Sequence, residues 1–598
     1  MRSQTSRIVL CALLAVLGAG GQGLSRAQTA DQGGAASGGL QEVVVTAERR
    51  TERVMDVPMS VTALSQDILD EKGVTNIDEL SRVAPGVTFL RNGMSSSGNY
   101  NDEDSDISIR GIDSTAGTST TGIYIDDTPI QTRHLNFGTV NPYPELFDLS
   151  RVEVLKGPQG TLFGSGSEGG TLRFITPAPD LHSYSGLARA EYGQIEGGGP
   201  SYEAGAAFGG PIIDGVLGFR VSASFREDGG WVDRVSYARP PAVATPCNPG
   251  AGPFAPPCFG GVAEVYTSAP TVTGTLESHA NWHDTQTFRA ALRWQPSADV
   301  TVDPSFYVQS LHINDTGAYW LNISDPSSNT YRNGNAQRNP SNDPWYIGAL
   351  KFNWNFSGAS LTSNTSYFSR SQHSVSDYTQ WISTVFLFNQ YPAVGDASYS
   401  YFTDHQNNFT EEIRLSSTDA ASSLQWTAGV FYTHENENSS EFIYSPDACS
   451  IPGLPCTMGT NLAYLQPRFS MIDKQEAVFG EVSYKPSAVF KATVGLRYSD
   501  LNYNGVVQEF QQGIFGGTSV NSPNSGSSRP LTPRFVLNYT PDSDSLYYAS
   551  AAKGFRPGGI NTHLPPPCLV GLPTEPTTFS SDSLWQYEVG SKNTLADR

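Results

Sequence analysis

A glycine-dense stretch offers the first pattern that could do chemistry. Residues 151–176 read RVEVLKGPQGTLFGSGSEGGTLRFIT, and six glycines lie close together in it: Gly157, Gly160, Gly164, Gly166, Gly169 and Gly170. A phosphate-binding P-loop would need Gly-Lys-Ser/Thr followed by a helix, and neither follows here. Glycine also permits positive φ and close contact between backbones. The pattern therefore predicts two strands, at 152–155 and 172–175, joined by a tightly folded loop without a nucleotide.

Four aspartates could be taken for a calcium loop. Asp102, Asp104 and Asp106 alternate, and Asp113 stands at the twelfth position of the same segment. Such a loop needs glycine at its sixth position, which is Ile107 here, at the start of an apparent strand. We therefore interpret the acidic run as a solvated loop and predict no metal there.

Other catalytic patterns are equally weak. His279 and His283 have the i, i+4 spacing of a helix, but they lie in a predicted loop, so a haem or metal site is only a minor alternative. The sequence has neither a Gly-x-Ser-x-Gly elbow nor a zinc signature, which a secreted hydrolase would need. We predict that the protein is not an enzyme and carries no cofactor.

Composition and the N-terminus indicate an exported protein. The formal net charge of −21 over 598 residues argues against nucleic acid, whose phosphates would be repelled. Arg2 and Arg7 precede an apolar run over 8–20, and Ser25-Arg26-Ala27 supplies a cleavage site. Residues 1–27 are therefore predicted to be a signal peptide.

The cysteines fit an oxidising compartment. Cys247 and Cys258 flank one Pro/Gly-rich loop, and Cys449 and Cys456 flank another. Both pairs are interpreted as local disulfides, although metal ligation without supporting histidines stays open. Cys568 is left over, either as a free thiol or with a partner elsewhere.

From about residue 183 the hydrophobic pattern alternates with a period of two, as in 217–226 and 288–295. One apolar face per strand also suits a soluble sandwich. Three features favour a membrane barrel: short turns alternate with long loops (227–284, 436–473 and 500–530), aromatic residues cluster at strand ends, and the opposite face is polar. We predict a mainly β fold, an antiparallel transmembrane β-barrel, with about fourteen strands present.

Three segments in one order carry a family resemblance. Residues 107–112 (ISIRGI), 122–130 (GIYIDDTPI) and 152–176 together resemble the plug domain of TonB-dependent outer-membrane receptors. Four later segments resemble barrel strands of the same family: 410–417 (TEEIRLSS), 479–487 (FGEVSYKPS), 547–559 (YYASAAKGFRPGG) and 587–592 (YEVGSK).

The resemblance implies an α/β plug over 51–178 inside a barrel over 179–598. Within the plug we predict a strand over 57–63 and helices near 66–72 and 77–83. Family barrels have twenty-two strands, so the resemblance implies that about eight are absent and that the chain is truncated at its C-terminus.

A short β-prone island stands in the predicted linker 28–50. It resembles the TonB box and consists of Glu42, Val43, Val44, Val45, Thr46 and Ala47. An ordinary first strand is the alternative. We expect an unpaired, extended segment that adds to a partner's sheet by β-augmentation, so that main-chain hydrogen bonds transmit a pull. The implied partner is TonB with its inner-membrane energising complex.

The resemblance also implies a latch between plug and barrel. Arg110 and Lys156 match two basic plug residues, and Glu588 matches one of their barrel glutamates. The plug-motif glycines are Gly111, Gly157, Gly160, Gly164, Gly169 and Gly170. A buried ion pair that loses one partner leaves an uncompensated charge, so such a latch could act as a gate.

The implied function is energised uptake of a scarce, large ligand across the bacterial outer membrane. A ferric siderophore is the default ligand; vitamin B12, haem, a glycan, a non-functional fragment and, remotely, a passive porin are alternatives. The expected partners are TonB, outer-membrane lipid and an extracellular siderophore-like ligand, with no nucleic acid. The expected state is a monomer.

Overall fold

A computed structural model gives the architecture of the chain. It describes residues 44–91, 105–113, 117–131, 133–134, 141–246, 262–266, 268–380, 397–419, 421–444, 467–509, 520–561, 571 and 574–594. The predicted signal peptide lies outside these residues, as do all six cysteines and both proposed disulfides.

The first part of the described chain forms a small α/β unit. Its strands are β1 (Val44–Val45), β2 (Glu52–Arg53), β3 (Val61–Ser65), β4 (Val87–Arg91), β5 (Ser105–Ile109), β6 (Gly117–Thr118), β7 (Thr121–Ile125), β8 (Thr128–Pro129), β9 (Arg133–His134), β10 (Arg151–Lys156) and β11 (Gly170–Ile175). Its helices are η1 (Val54–Asp56), α1 (Gln66–Glu71) and α2 (Leu80–Val83). We call this unit the plug.

A five-stranded sheet is the centre of the plug. Its order is β3-β10-β11-β7-β8, and β11 pairs with β7 in parallel while the other pairs are antiparallel. β10 and β11, predicted from the strands flanking the glycine-rich stretch, are almost wholly buried on both faces. One face packs on Leu69 and Leu80 of the two helices, which are completely buried. The glycine-rich stretch therefore lies at the core of the unit.

Two local predictions in the plug are corrected. The strand expected over 57–63 begins only at Val61, because the chain bends at Pro58 and Met59, where the Met59 amide donates to the Val57 carbonyl. The helix expected over 77–83 is only Leu80–Val83, and 77–79 form a turn. The helix expected near 66–72 is present, and the Ser65 hydroxyl caps it by accepting a hydrogen bond from the Ile68 amide.

A large antiparallel sheet follows the plug. Its strands are β12 (Ser185–Gln194), β13 (Pro200–Ile213), β14 (Leu217–Asp228), β19 (His283–Ser297), β20 (Val300–Ile313), β22 (Ser341–Phe356), β23 (Ala359–Asp377), β24 (Tyr399–Ser417), β25 (Leu424–Tyr444), β26 (Pro467–Tyr484), β27 (Phe490–Glu509), β28 (Val520–Ser528), β29 (Leu531–Asp542), β30 (Ser545–Arg556) and β33 (Asp582–Asn593).

Smaller elements lie in the connections. They are β15 (Val232–Ala238), β16 (Ala242–Pro246), β17 (Val262–Tyr266), β18 (Thr271–Glu277), η2 (Leu321–Ile323), η3 (Pro326–Ser328), β21 (Tyr331–Asn333), β31 (Gly559–Ile560) and β32 (Thr578–Phe579).

The large sheet is an up-and-down meander. Fourteen strands pair successively from β12 to β33, and β28 pairs with the outer half of β27, which agrees with the predicted count of about fourteen. Connections alternate between tight turns and long excursions, as predicted. Several predicted loops are partly strand, because β25, β26 and β27 extend well into 436–473 and 500–530.

Side chains on the two faces of the sheet reverse the pattern of a soluble protein. In β29, Thr532, Arg534 and Asn538 are buried, whereas Phe535 and Leu537 are exposed. A polar inner face and an apolar outer face are what a barrel in lipid needs.

The sheet wraps around the plug. Plug side chains bond to its first strands through Arg189–Asp70 and to its last strand through Arg110–Glu588. Between them, contacts with β22, β24, β26 and β29 complete the circuit. In the part of the chain that is described, no helix is both long and apolar enough to cross a membrane.

Candidate functional site at the plug–barrel interface

The predicted TonB box is docked in the plug where the structure describes it, at residues 44–47. The expectation of an unpaired segment is therefore wrong for these residues, since Val44–Val45 pairs with Glu52–Arg53. Val45 and Ala47 are completely buried. Glu42 and Val43 lie outside the described residues.

Hydrogen bonds fix the middle of this segment. The Thr46 amide donates to Glu153 Oε1 at 2.9 Å, and Arg173 Nη1 donates to the Thr46 carbonyl at 2.9 Å. Glu153 and Arg173 face each other on β10 and β11 and bond directly at 2.9 Å. The segment is thus held by a charged pair in the central sheet of the plug.

Two residues that follow, Arg49 and Arg50, bond to the large sheet, which we call the wall. Arg49 has a positive φ of 59° and donates to Asp127 Oδ1 at 2.8 Å and to Glu412 Oε2 of β24 at 3.1 Å. Its guanidinium also lies 4.3 Å from the centre of the Phe163 ring. Arg50 donates to Thr427 Oγ1 of β25 at 3.1 Å. One short segment therefore bonds to both domains.

Asp127 is the centre of this charge network. Besides Arg49, three cations lie within 4 Å of its carboxylate: Lys351 at 2.7 Å, Arg173 at 3.4 Å and Arg414 at 3.6 Å. Burial alone would raise the pKa of the Asp127 carboxyl, but Lys351, Arg414, Arg49 and Arg173 together hold it well below its usual value.

A second charge group lies beside the first. Arg534 of β29 donates to Glu481 Oε2 of β26 at 2.6 Å and also bonds to Glu48. Burial opposes ionisation of Glu48, yet Arg534 and Lys491 hold its pKa below the ordinary value. Burial and the neighbouring Glu48 instead raise the pKa of Glu52 to about 7. Glu48 and Arg49 thus tie the segment to the wall through charges of opposite sign.

The structure brings together Arg110 and Glu588 of the predicted latch. Arg110 Nη1 donates to Glu588 Oε2 at 2.6 Å. The same carboxylate accepts hydrogen bonds from the Tyr548 hydroxyl and Gln586 Nε2, each at 2.6 Å. Arg110 has a φ of 58° and Gly111 one of 78°, so a left-handed turn at the end of β5 directs the arginine to the wall.

Lys156 lies nearby but makes a weaker arrangement. No ion pair within 4 Å joins it to Glu588 among the described residues. Burial and the adjacent Arg110 lower the pKa of the Lys156 ammonium, while Glu588 raises it. Of the two predicted basic residues, Arg110 therefore bonds to Glu588 directly, whereas Lys156 interacts with that carboxylate only electrostatically, over a longer distance.

The plug-motif glycines allow backbones to approach the wall and each other. A Cβ at Gly160 would stand 2.6 Å from the Lys553 carbonyl oxygen of β30, and one at Gly170 would stand 2.3 Å from the Leu155 carbonyl. Gly157 and Gly164 have φ of 92° and 84°. A Cβ at Gly157 would meet Gln586, one at Gly164 would meet Arg497, and one at Gly169 would meet the Ile109 carbonyl.

A cavity of about 140 Å³ opens at the long-loop end of the interface. We call it the outer cavity. Plug residues 76–78 and 141–146 line one side, and Arg226, Asp228 and Trp345 of the wall line the other. Burial raises the pKa of Glu145 in this cavity to about 8, with Glu203 and Asp228 adding to the rise and Arg226 opposing it. The outer cavity is the candidate entry point for a ligand.

The histidines singled out in the sequence do not meet as a pair. His279 lies in a turn with a φ of 52°, and His283 Nε2 lies 3.2 Å from Asp228 at the start of β19. Within the described residues, no three or more His, Cys, Asp and Glu side chains gather as they would around a metal ion.

Models of known protein families match both the plug and the large sheet. Residues 53–171 match the family model described as the TonB-dependent receptor plug domain. Residues 283–597, more than half of the chain, match the model described as the TonB-dependent receptor-like β-barrel.

Among curated proteins, the pesticin receptor of Yersinia pestis is 34% identical over 181 residues, which cover 29% of this chain and 24% of that protein. The ferripyoverdine receptor of Pseudomonas aeruginosa is 27% identical over 201 residues, covering 33% and 22%. The matched region thus spans about a quarter of the length of these relatives.

Solved structures share the fold over more of the chain. The ferric yersiniabactin uptake receptor of Yersinia pestis superposes with a TM-score of 0.65 at 18% identity, covering 90% of this chain and 70% of that one. A siderophore receptor of Acinetobacter baumannii gives a TM-score of 0.62 at 14% identity, covering 91% and 71%.

Proposed function

Because the chain belongs to the TonB-dependent receptors of the outer membrane, we propose that it takes up a scarce, large ligand, by preference a ferric siderophore, with energy supplied through TonB. Relatives named as pesticin and ferripyoverdine receptors, and a structural neighbour named as a ferric yersiniabactin receptor, support this ligand class. Vitamin B12, haem or a glycan would be handled by the same machinery.

The docked segment 44–50 is the observation that carries the proposal. It pairs with β2, bonds to Glu153 and Arg173 in the plug, and reaches Glu412, Thr427 and Arg534 in the wall. A pull on the residues ahead of Val44 would therefore strain plug and wall together. Force on the N-terminus could thus loosen the plug without acting on it elsewhere.

The Arg110–Glu588 bond is the proposed latch. It joins the end of β5 to β33, on the part of the wall away from Glu412. A ligand-dependent shift of β5 would break the bond from Arg110, whereas Tyr548 and Gln586, which already donate to the Glu588 carboxylate, would stay in place. Glu588 would keep these two hydrogen bonds after losing its cationic partner, so opening leaves a carboxylate that is hydrogen-bonded although no longer ion-paired.

Deletion of residues 42–47 tests energy coupling. The probes are ferric yersiniabactin and ferripyoverdine carrying radioactive iron, offered to cells that express the receptor. We expect surface binding to persist and accumulation inside the cell to fall to the level of cells lacking the receptor.

Deletion of residues 30–35, of equal length in the predicted linker, is the control and should leave uptake intact. Uptake that survives loss of 42–47 would refute energy coupling through this segment. If neither probe binds to the cells, the ligand would instead belong to one of the other classes named above.

A further inference from the structure

A second cavity lies on the opposite side of the plug–wall contact from the outer cavity. Its volume is about 210 Å³, and we call it the inner cavity. Plug residues Asp126, Thr176 and Ala178 line one side, and Arg289 and Lys351 line the other. It faces the half of the wall that ends in the tight turns 297–300 and 356–359.

The two cavities lie on one stripe of the wall. Both are lined by inward-facing residues of β19, β20 and β22. In β20 the outer cavity takes Gln309 and the inner cavity takes Tyr307; in β22 the corresponding residues are Trp345 and Ile347. Gln309 is the register partner of Trp345, and Tyr307 that of Ile347. A single step along the strands therefore separates the two cavities.

A group of hydrogen bonds centred on Gln309 lies between the two cavities, and we call it the clamp. The Glu145 amide donates to Gln309 Oε1 at 2.9 Å, and Gln309 Nε2 donates to the Tyr143 carbonyl at 2.7 Å. The Tyr307 hydroxyl also donates to Gln309 Oε1 at 2.9 Å, and its ring stacks on Trp345 at 5.0 Å. Gln309 is 4% exposed. Plug segment 141–146 thus closes the stripe through the side chain of one neutral glutamine.

This closure differs in kind from the charged plug–wall contacts. The contacts around Asp127, Glu48 and Glu588 are charge-assisted, and such bonds are roughly twice as strong as neutral ones. The clamp at Gln309 uses only neutral groups. Opening the clamp therefore breaks hydrogen bonds between neutral groups only.

The inner cavity has an unpaired donor that fits an anionic ligand. Arg289 is 6% exposed and donates through Nη2 to the Pro177 carbonyl at 3.0 Å. Its Nη1 has no hydrogen-bond partner among the described residues. The other lining cations are engaged, Arg293 with Asp303 and Lys351 with Asp127. Arg289 is thus available to the anionic oxygen atoms of a ferric chelate.

We propose that the ligand crosses the protein along the β19–β20–β22 stripe, when segment 141–146 leaves Gln309, and is received by Arg289 in the inner cavity. The route rests on the proposed uptake function and specifies where passage occurs. At about 140 and 210 Å³, each cavity is smaller than the pockets of roughly 300–1,000 Å³ that hold drug-sized ligands. The clamp must therefore open for the two spaces to merge.

A reducible tether tests the route in cells. Tyr143→Cys and Gln309→Cys are bridged by a short bis-thiosulfonate, and uptake of the radioactive ferric probes is measured before bridging, after bridging and after reduction. The control bridges Ser165→Cys to Gln475→Cys, which replaces a plug–wall hydrogen bond of 2.9 Å on β26. We expect the first tether alone to abolish uptake reversibly.

Two outcomes would overturn the route. If both tethers block uptake, the plug moves as a whole; if neither does, the stripe is not used. Absence of uptake before bridging would count against the proposed function instead, and the following measurement would then decide the route by itself.

Ion conductance of the purified protein in planar bilayers, with potassium chloride as the probe, needs neither ligand nor TonB. We expect Gln309→Ala to raise conductance above that of the parent protein and Gln475→Ala to leave it unchanged. The added current should prefer chloride, and Arg289→Gln in the Gln309→Ala background should remove that preference. Equal conductance in all variants, or an equal rise in both alanine variants, would contradict the proposed route.

Discussion

At the scale of single residues, the buried charges that hold the N-terminal segment are paired with several partners each. Asp127 contacts four cations, and Arg534 lies between two glutamates. Taking such ions out of water is costly, and removing one partner typically destabilises by about 3–5 kcal/mol. These residues therefore fix the position of the N-terminal segment more firmly than its short backbone pairing can.

Asp127→Asn should release that segment. The substitution keeps the size of the side chain but removes the carboxylate that Arg49, Lys351, Arg173 and Arg414 share, so we expect a loss of about 3–5 kcal/mol. Urea unfolding of the plug and hydrogen exchange of residues 44–53 would measure it.

Asp56→Asn is the matched control. Asp56 pairs with Arg53 in a bridge whose side chains are both 47% exposed, so its loss should be within error. An equal effect of the two substitutions would show that burial of the Asp127 network contributes nothing.

Glu52 should make docking of the segment sensitive to pH. Burial and Glu48 raise its pKa from 4.5 to about 7, while Lys491 and Arg50 oppose the rise. The docked state then holds a proton that the released state gives up, so docking is favoured at low pH and weakens as pH rises from about 4.5 to 7.

A nitroxide label at Thr51→Cys, an exposed position, should become more mobile across that range. In the Glu52→Gln background the mobility should not change with pH. A pH response that persists without the carboxyl would assign the effect to another group.

At the scale of elements, the glycine-rich segment between β10 and β11 sets how closely the plug approaches the wall. Gly160 faces β30 at a distance that leaves no room for a Cβ. Gly160→Ala should therefore push the segment from β30, and overpacking of this kind costs typically about 1–3 kcal/mol. Thermal unfolding would record the loss.

Gly348→Ala in β22 provides the comparison, because a Cβ there meets nothing within 4 Å. Stability of this variant should equal that of the parent. A similar loss at both positions would indicate that strand propensity, and not contact with the wall, determines the effect of Gly160→Ala.

The strands and the glycine segment could be predicted from sequence because alternation and glycine spacing are local signals. The docking of 44–50 could not be predicted, because a short apolar segment has the same sequence pattern whether it is free or buried. Asp127 stood in a quoted motif, yet its role depends on a turn: Asp126 has a φ of 53° and bonds to Thr176, which leaves Asp127 to face the cations. The cations come from four distant elements.

At the scale of the whole molecule, the outward apolar side chains of β26 are concentrated near its tight turn. In β26, Val478, Val482 and Tyr484 are exposed, and the outward positions above them include Glu476 and Lys474. The apolar band marks the hydrocarbon, and the rest of the wall rises beyond it.

Leu537→Arg should therefore impair folding into lipid. Leu537 is 63% exposed in the middle of β29, and an arginine near the bilayer midplane costs about 2–4 kcal/mol. Urea titration in lipid vesicles would measure the change. Glu476→Arg, outward but above the band, should have little effect, and an equal loss there would place the band incorrectly.

The order of attachments along residues 44–50 has a mechanical consequence. Tension applied from the N-terminal side acts first on the two-residue β1–β2 pairing, whose hydrogen bonds would break one after the other. Only then does the load reach Thr46, and after it the charges of Glu48 and Arg49. The force needed to extend the segment therefore rises in steps. A weak or brief force would release only the β1–β2 pairing, which then re-forms, whereas a sustained force would be transmitted to the wall.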